Sequence, residues 1–291
     1  MKKILFNASL SGGFLSDKQG NSFTDVMANK LIELEKEKET GLNINGNKVK
    51  FEGTKKPDEL AELIKRRDAP DELSDTAKTI VRQTWRKLEL GIEKQIKSKY
   101  LDKGTYNEED SISLLTDVEN VIYVKNTERK ENNFFTGECD VFKEFPDKKI
   151  VIDTKTCWDS ETFMNASASL DNEVQGEIYM ELWDADEFHL KFCLIDCPPH
   201  LLEREKKYAT DKFYDKEMSD EELYMVDELV KPIHEQIERN LIFSNNPNIK
   251  KEDCIKTFIF KRDKDKYQKL ENRAKLGQEY YKTITLNGLN K

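Results

Sequence analysis

Apolar residues recur first at helical spacing and then, past the first third of the chain, in short runs that suit strands. Residues 23–39, FTDVMANKLIELEKEKE, predict an amphipathic helix. Residues 41–53 predict a loop or hairpin, and a helix over 57–67 ends in Lys65-Arg66-Arg67 just before Pro70. A longer helix is expected from Ser74 to Leu101, because Val81, Trp85, Leu88, Ile92, Ile96 and Tyr100 fall three or four residues apart. Gly104 is expected to stop that helix and a second to begin near Tyr106. Residues 118–125 and 133–142 read as strands, and 137–156 as a hairpin turning at Pro146 and Asp147. A connecting segment from Trp158 to Leu170 leads into a helix over 172–183, with Val174, Ile178 and Leu182 inward. A strand between Asp186 and Asp196 follows, ended by Pro198-Pro199. Residues 200–245 are helical and charged, with a capping box from Ser219 to Glu222 and a kink expected at Pro232. A strand over 255–260 then feeds a last helix with Tyr267, Leu270, Ala274 and Tyr281 inward.

The pattern predicts an α/β (α+β) chain, a central β-sheet flanked by helices. One domain over 1–291 is the simplest division, with its core at about 100–200 and the segments 1–100 and 200–291 packed on it. At 291 residues such a core is affordable. No apolar run approaches membrane-span length, and the opening MKKILFNASLSGG is too short for a signal peptide, so a cytoplasmic protein is expected. The five cysteines are scattered without a C-x-x-C pair, which argues against structural zinc or disulfides. A net charge of -9 disfavours indiscriminate coating of nucleic acid but leaves room for a local basic groove. Lys78, Arg82 and Arg86 form such a row along one helix; it reads as a solvated face or as a set of phosphate contacts.

The candidate chemistry sits in the hairpin, GECDVFKEFPDKKIVIDTKT. Asp140 lies in its first strand and Asp153 near the end of its second. Alternation puts Asp153 and Lys155 on one face and Thr154 on the other. Two carboxylates beside an ammonium make a hard-oxygen site for a divalent cation next to a group that can hold an anion. That is the equipment of metal-assisted phosphodiester hydrolysis. Only His189, His200 and His234 are present, and no Gly-x-Ser-x-Gly elbow or P-loop competes.

An aspartate, a short gap and then Asp-x-Lys, directly after Ile150-Val151-Ile152, resembles the core motif of the PD-(D/E)XK nuclease superfamily. Three further stretches resemble its YqaJ-like and lambda-type viral recombination exonucleases. Gly104-x-x-x-Glu108 resembles their first catalytic motif, Gln175-x-x-x-Tyr179 the motif after the catalytic strand, and the closing strand with Arg262-Asp263 their tail. Asn7-Ala8-Ser9 resembles, more distantly, their Arg-Ala-Ser opening. The resemblance implies a restriction-endonuclease-like core with a mixed sheet and a DNA exonuclease. It implies Mg²⁺, with Mn²⁺ as a substitute, held by Asp140, Asp153, Glu108 and the carbonyl of Thr154. Lys155 would act on the attacking water and the phosphate, and Gln175 and Tyr179 would position Lys155 or substrate. Glu173 competes with Gln175 for the centre, and Glu109 and Glu93 are the alternatives to Glu108. DNA is the implied partner, with a homo-oligomer and a single-strand annealing protein as further ones. A structure-specific endonuclease and an idle DNA-binding module are the other readings.

Overall fold

The computed structural model describes residues 3–16, 25–68, 71–95, 97–214 and 218–289. In chain order it places β1 at Phe6–Asn7, a 3-10 coil at Ala8–Leu15, α1 at Asp25–Thr40, α2 at Lys56–Arg67 and α3 at Asp75–Leu90. Then come α4 at Lys99–Tyr106, α5 at Glu108–Glu119, β2 at Lys130–Glu131, β3 at Phe135–Gly137, β4 at Val141–Glu144 and β5 at Lys149–Cys157. A short α6 at Ser160–Met164 precedes α7 at Leu170–Trp183, β6 at Glu187–Leu194, α8 at Pro199–Thr210 and α9 at Asp220–Leu241. β7 at Ile255–Lys261, α10 at Lys264–Thr283 and the small pair β8 at Ile284–Thr285 and β9 at Gly288–Leu289 complete the chain.

The chain falls into two compact units, residues 1–12 with 91–267, and residues 13–90 with 268–291. The second is helical. Leu31, Leu34, Phe51, Leu60 and Leu63 form a core between α1 and α2. Arg273, almost wholly buried, ties this unit together by donating to Asp71 at 2.9 Å and to the carbonyls of Phe14 and Ser16 at 2.9 and 3.0 Å.

The first unit holds the chemistry. Its main sheet has the order β4-β5-β6-β7, with β4 antiparallel to β5, β5 parallel to β6, and β6 antiparallel to β7. A parallel pair needs a covered crossover, and α7 supplies it between β5 and β6. The alternation of β5 sorts the two faces. Ile150 and Ile152 pack with Ile112 and Leu115 of α5 on one side. On the other side Val151 lies beside Phe188 of β6, and α7 covers that row. There Gly176 permits the close approach, since a Cβ on it would fall 1.9 Å from the ring of Phe188. A smaller mixed sheet, β1-β3-β2, pairs β1 in parallel with β3. This is the mixed sheet between helices that the sequence predicts.

Several local expectations are corrected. The helix expected over 74–101 breaks at Gly91, which takes φ +67 after α3 ends at Leu90. Ile92 and Tyr100 are consequently 49% and 54% exposed instead of inward, and Ile96 lies outside the described residues, as does Pro70. Gly104 does not stop a helix; it lies inside α4, and α5 begins at Glu108 instead of near Tyr106. No strand forms over 118–125. Helix α5 runs to Glu119, Asn120 reverses the chain in the left-handed region, and Ile122 and Val124 face solvent. The strand expected over 133–142 is two, β3 and β4, with residues 138–140 between them.

The Gly176 contact yields a test. Gly176→Ala forces the fully buried Phe188 ring, itself stacked on Phe260 at 5.9 Å, to shift, and should lower stability by about 1–3 kcal/mol. Urea denaturation checks this, and an unchanged midpoint removes the proposed tight contact between α7 and β6.

Candidate active site

The sequence places Asp140 within a strand, but it instead immediately precedes β4. The β4–β5 ladder ends at the pair Val141 and Ile152, so the same edge of β5 beyond that point has no strand neighbour. Asp140 fills the step. Its Oδ2 accepts from the backbone N–H of Thr154 at 2.6 Å and from the Thr154 hydroxyl at 2.7 Å. Since a strand residue directs its N–H and carbonyl to the same side, the Thr154 carbonyl lies along this edge as well.

One residue back, Asp153 is buried in mid-strand, 3% exposed. Its Oδ1 accepts from Gln175 Nε2 at 3.1 Å, and the same amide donates to the hydroxyl of Tyr179 at 2.9 Å. Its Oδ2 lies 2.5 Å from Lys155 Nζ, an ion-pair contact without the angle of a directed hydrogen bond. Lys155 follows on the same face by alternation. The choice between Glu173 and Gln175 is decided by α7: Glu173 pairs with Lys266 at 2.9 Å, while Gln175, two residues on, reaches Asp153.

Glu108 opens α5 and is ion-paired to Lys125 at 3.4 Å, near enough for its charge to act on Asp153. Two bonds hold this end of the helix. Buried Asn107 donates to the Asp196 carbonyl at 2.7 Å, and the hydroxyls of Ser111 and Thr156 meet at 3.1 Å. Glu109 is exposed, and so is Glu93, which lies outside any helix instead of inside one. Lys78, Arg82 and Arg86 lie on α3, in the other unit. There Lys78 is 3.7 Å from Asp75, and Arg82 sits 5.7 Å above the Tyr280 ring.

The carboxylates are under electrostatic load. Burial, and then the charge of Asp153, push the Asp140 carboxyl up from 3.8 to about 6, against two bonds from Thr154. Burial also raises Asp153, against the pull of Lys155. Burial disfavours the Lys155 ammonium, but the two aspartates more than offset it and raise its pKa. Among the described residues no three His, Cys, Asp or Glu side chains stand together as a ready metal cluster. The pair nevertheless fits a hard divalent ion. The donors are all oxygen, the two aspartates repel each other, and the one cation in contact with the buried Asp153 oxygen is an ammonium in its place.

A cleft of about 610 Å³ has Lys155 in its lining, together with Trp158, Asp159, Glu161, Asn165 and Phe192. Its wall depends on a residue that carried no sequence signal. Lys103 is completely buried, donates to the Trp158 carbonyl at 2.9 Å, and is lowered by that burial to about 8. A second cleft of about 710 Å³ lies against α9, with Glu235 and Glu238 in its lining, and holds none of these groups.

The pH dependence of stability tests the crowding. Between 3.8 and about 6 the folded chain keeps a proton on Asp140 that the unfolded chain has released, so stability should fall as pH rises through that window. Asp140→Asn should remove much of this slope and, in EDTA at pH 7, raise stability by about 2 kcal/mol. Mg²⁺ should then stabilise the natural chain and not the variant. A variant less stable than the natural chain at pH 7 in EDTA would contradict the crowding.

No protein-family model and no curated protein matches this chain. Among solved structures, a phage-related exonuclease from Haemophilus somnus 129PT superposes with a TM-score of 0.59 at 23% identity, over 96% of this chain and 94% of that one. The alkaline exonuclease LHK-Exo from Laribacter hongkongensis gives 0.43 at 10% identity, over 72% of this chain and 82% of its own. The first likeness establishes that this chain has the fold of the Haemophilus somnus protein over nearly its whole length.

Proposed function

We propose that this chain is a divalent-metal-dependent deoxyribonuclease, an exonuclease of the phage type that acts in DNA recombination or repair. The observation that carries the reading is the meeting of Asp140, Asp153 and Lys155 at the open edge of β5. The fold shared with a phage-related exonuclease supports it.

In this reading Asp140 and Asp153 hold Mg²⁺ or Mn²⁺, the Thr154 carbonyl is a further oxygen donor, and Glu108 joins them on leaving Lys125. The bound ion supplies Lewis acidity, activating water and offsetting charge on the phosphate. Gln175 keeps Asp153 in one rotamer, and Tyr179 keeps Gln175 aimed at it. Lys155, relieved of Asp153, brings its ammonium to the phosphate and the attacking water, where charge grows in the transition state. Asn107 and Ser111 fix the helix end that carries Glu108.

One observation favours a second reading, a nuclease fold that binds DNA without cutting it. Glu108 is engaged by Lys125, and the aspartate pair has no third carboxylate beside it among the described residues. A single experiment separates the readings: incubation with linear and with covalently closed circular DNA, in Mg²⁺, in Mn²⁺ and in EDTA. Metal-dependent loss of the linear DNA alone is the expected result. Cutting of the circle would make the chain an endonuclease, and absence of cutting in either metal would leave the binding module.

Two sets of variants sharpen the assignment. Asp153→Asn should reduce cleavage to background, and Lys155→Ala should lower turnover by roughly 100-fold or more while DNA affinity changes little. Equal losses of affinity and rate would move Lys155 from catalysis to simple binding. Glu108→Gln should also reduce cleavage to background and weaken metal affinity in a calorimetric titration, whereas Glu93→Gln should match the natural chain. The reverse pattern would overturn the assignment of Glu108.

A further inference from the structure

The cleft beside Lys155 is lined by three kinds of group: the ammonium itself, the aromatic rings of Tyr100, Trp158 and Phe192, and the polar and acidic side chains of Asp159, Glu161 and Asn165. Carboxylates repel a phosphate but accept from the amino and imino groups of a nucleobase. The space therefore suits a base and its sugar better than a second phosphate, and its volume lies within the range of small-ligand sites.

Tyr100 is the unusual member. Its ring is 54% exposed, while Trp158, against which it packs, is 5% exposed. An exposed aromatic ring is a useful platform only if it is held, and this one is. The ring meets Trp158 edge-on with centroids 5.9 Å apart, and Lys99 Nζ lies 5.9 Å from its centroid. Lys99 is in turn paired with Glu205 at 2.8 Å and sits 4.4 Å over Trp158. The Tyr100 N–H donates to the Ser98 hydroxyl that caps α4, and Lys103 holds the Trp158 carbonyl.

We propose that this cleft is a stacking subsite for one base of single-stranded DNA, with Tyr100 as its platform beside the reacting phosphate. The inference rests on the nuclease reading of the adjacent centre. A base inside a duplex is stacked on both faces by its neighbours and cannot lie on Tyr100, so away from a duplex end the subsite takes only an unpaired nucleotide. Stacking takes any base, because each presents a π-face, while Asp159, Glu161 and Asn165 can favour bases that offer N–H groups.

The test is a binding measurement in EDTA, where no cleavage occurs. The probe is a ten-residue single strand carrying 2-aminopurine at one position at a time, or an abasic site at that position. The natural chain and Tyr100→Phe should quench 2-aminopurine at one position, and Tyr100→Ala should lose that quench and bind about 5- to 100-fold more weakly. The abasic strand should bind the natural chain and Tyr100→Ala equally. Thermal melts of both variants check that they fold. An abasic site that weakens both chains alike, or a quench that survives in Tyr100→Ala, overturns the inference while leaving the nuclease reading intact. Failure to cut DNA in Mg²⁺ or Mn²⁺ with the quench preserved would sink the nuclease reading and keep the base-binding cleft.

Discussion

Everything in the first unit is arranged around a charge buried in the middle of a strand. Asp153 stands on β5 between β4 and β6, under α7, where an isolated carboxylate is costly. Gln175 and Lys155 meet that cost in part, one by a hydrogen bond and the other by an ion pair. An ion pair with one partner buried, as Asp153 is here, contributes little net stability, because desolvation of that carboxylate offsets much of the attraction. Replacing this one with apolar residues would give a quieter sheet. A carboxylate and an ammonium standing where Val or Ile would pack is a local cost that the proposed site accounts for.

The second constraint is the short β4. Because its pairing with β5 ends at Ile152, the edge around Thr154 is left for Asp140, whose carboxylate comes close enough to the buried Asp153 for their charges to interact. Burial, and after it their mutual repulsion, raises the Asp140 carboxyl, a load that a divalent cation would relieve in the proposed site. Metal binding and the stability of this edge would then be thermodynamically linked. The supports lie on the outer face of the sheet. Buried Lys191 on β6 pairs with Glu119 near the end of α5, and Tyr123 donates to the same carboxylate at 2.6 Å. With Asn107 at the other end, this fixes α5 at both termini and so holds Glu108 near the edge.

The elements that were legible in the sequence are those with strong local periodicity. The hairpin, α7, β6, β7 and α10 formed where apolar alternation or four-residue spacing placed them, and Tyr267, Leu270, Ala274 and Tyr281 are all buried. The failures have separate causes. Spacing that continues through Gly91 looks like one long helix, but a glycine free to take positive φ ends it. Val121 to Lys125 has the composition of a strand, yet no neighbouring strand is present to pair with it among the described residues.

For the site itself, the sequence alone determined that Asp153 and Lys155 share a face, because strand alternation is a property of the backbone and needs no partner. It also placed Asp140 one turn of chain away from them. Only the tertiary structure decided that Gln175 and not Glu173 reaches Asp153, that Glu108 is engaged by Lys125, and that Lys103 supports a cleft wall 55 residues further along the chain. Those outcomes depend on how helices lie across the sheet, and hence on packing between segments far apart in the chain. Local spacing carries no record of that packing, since several helix rotations leave the same apolar stripe inward.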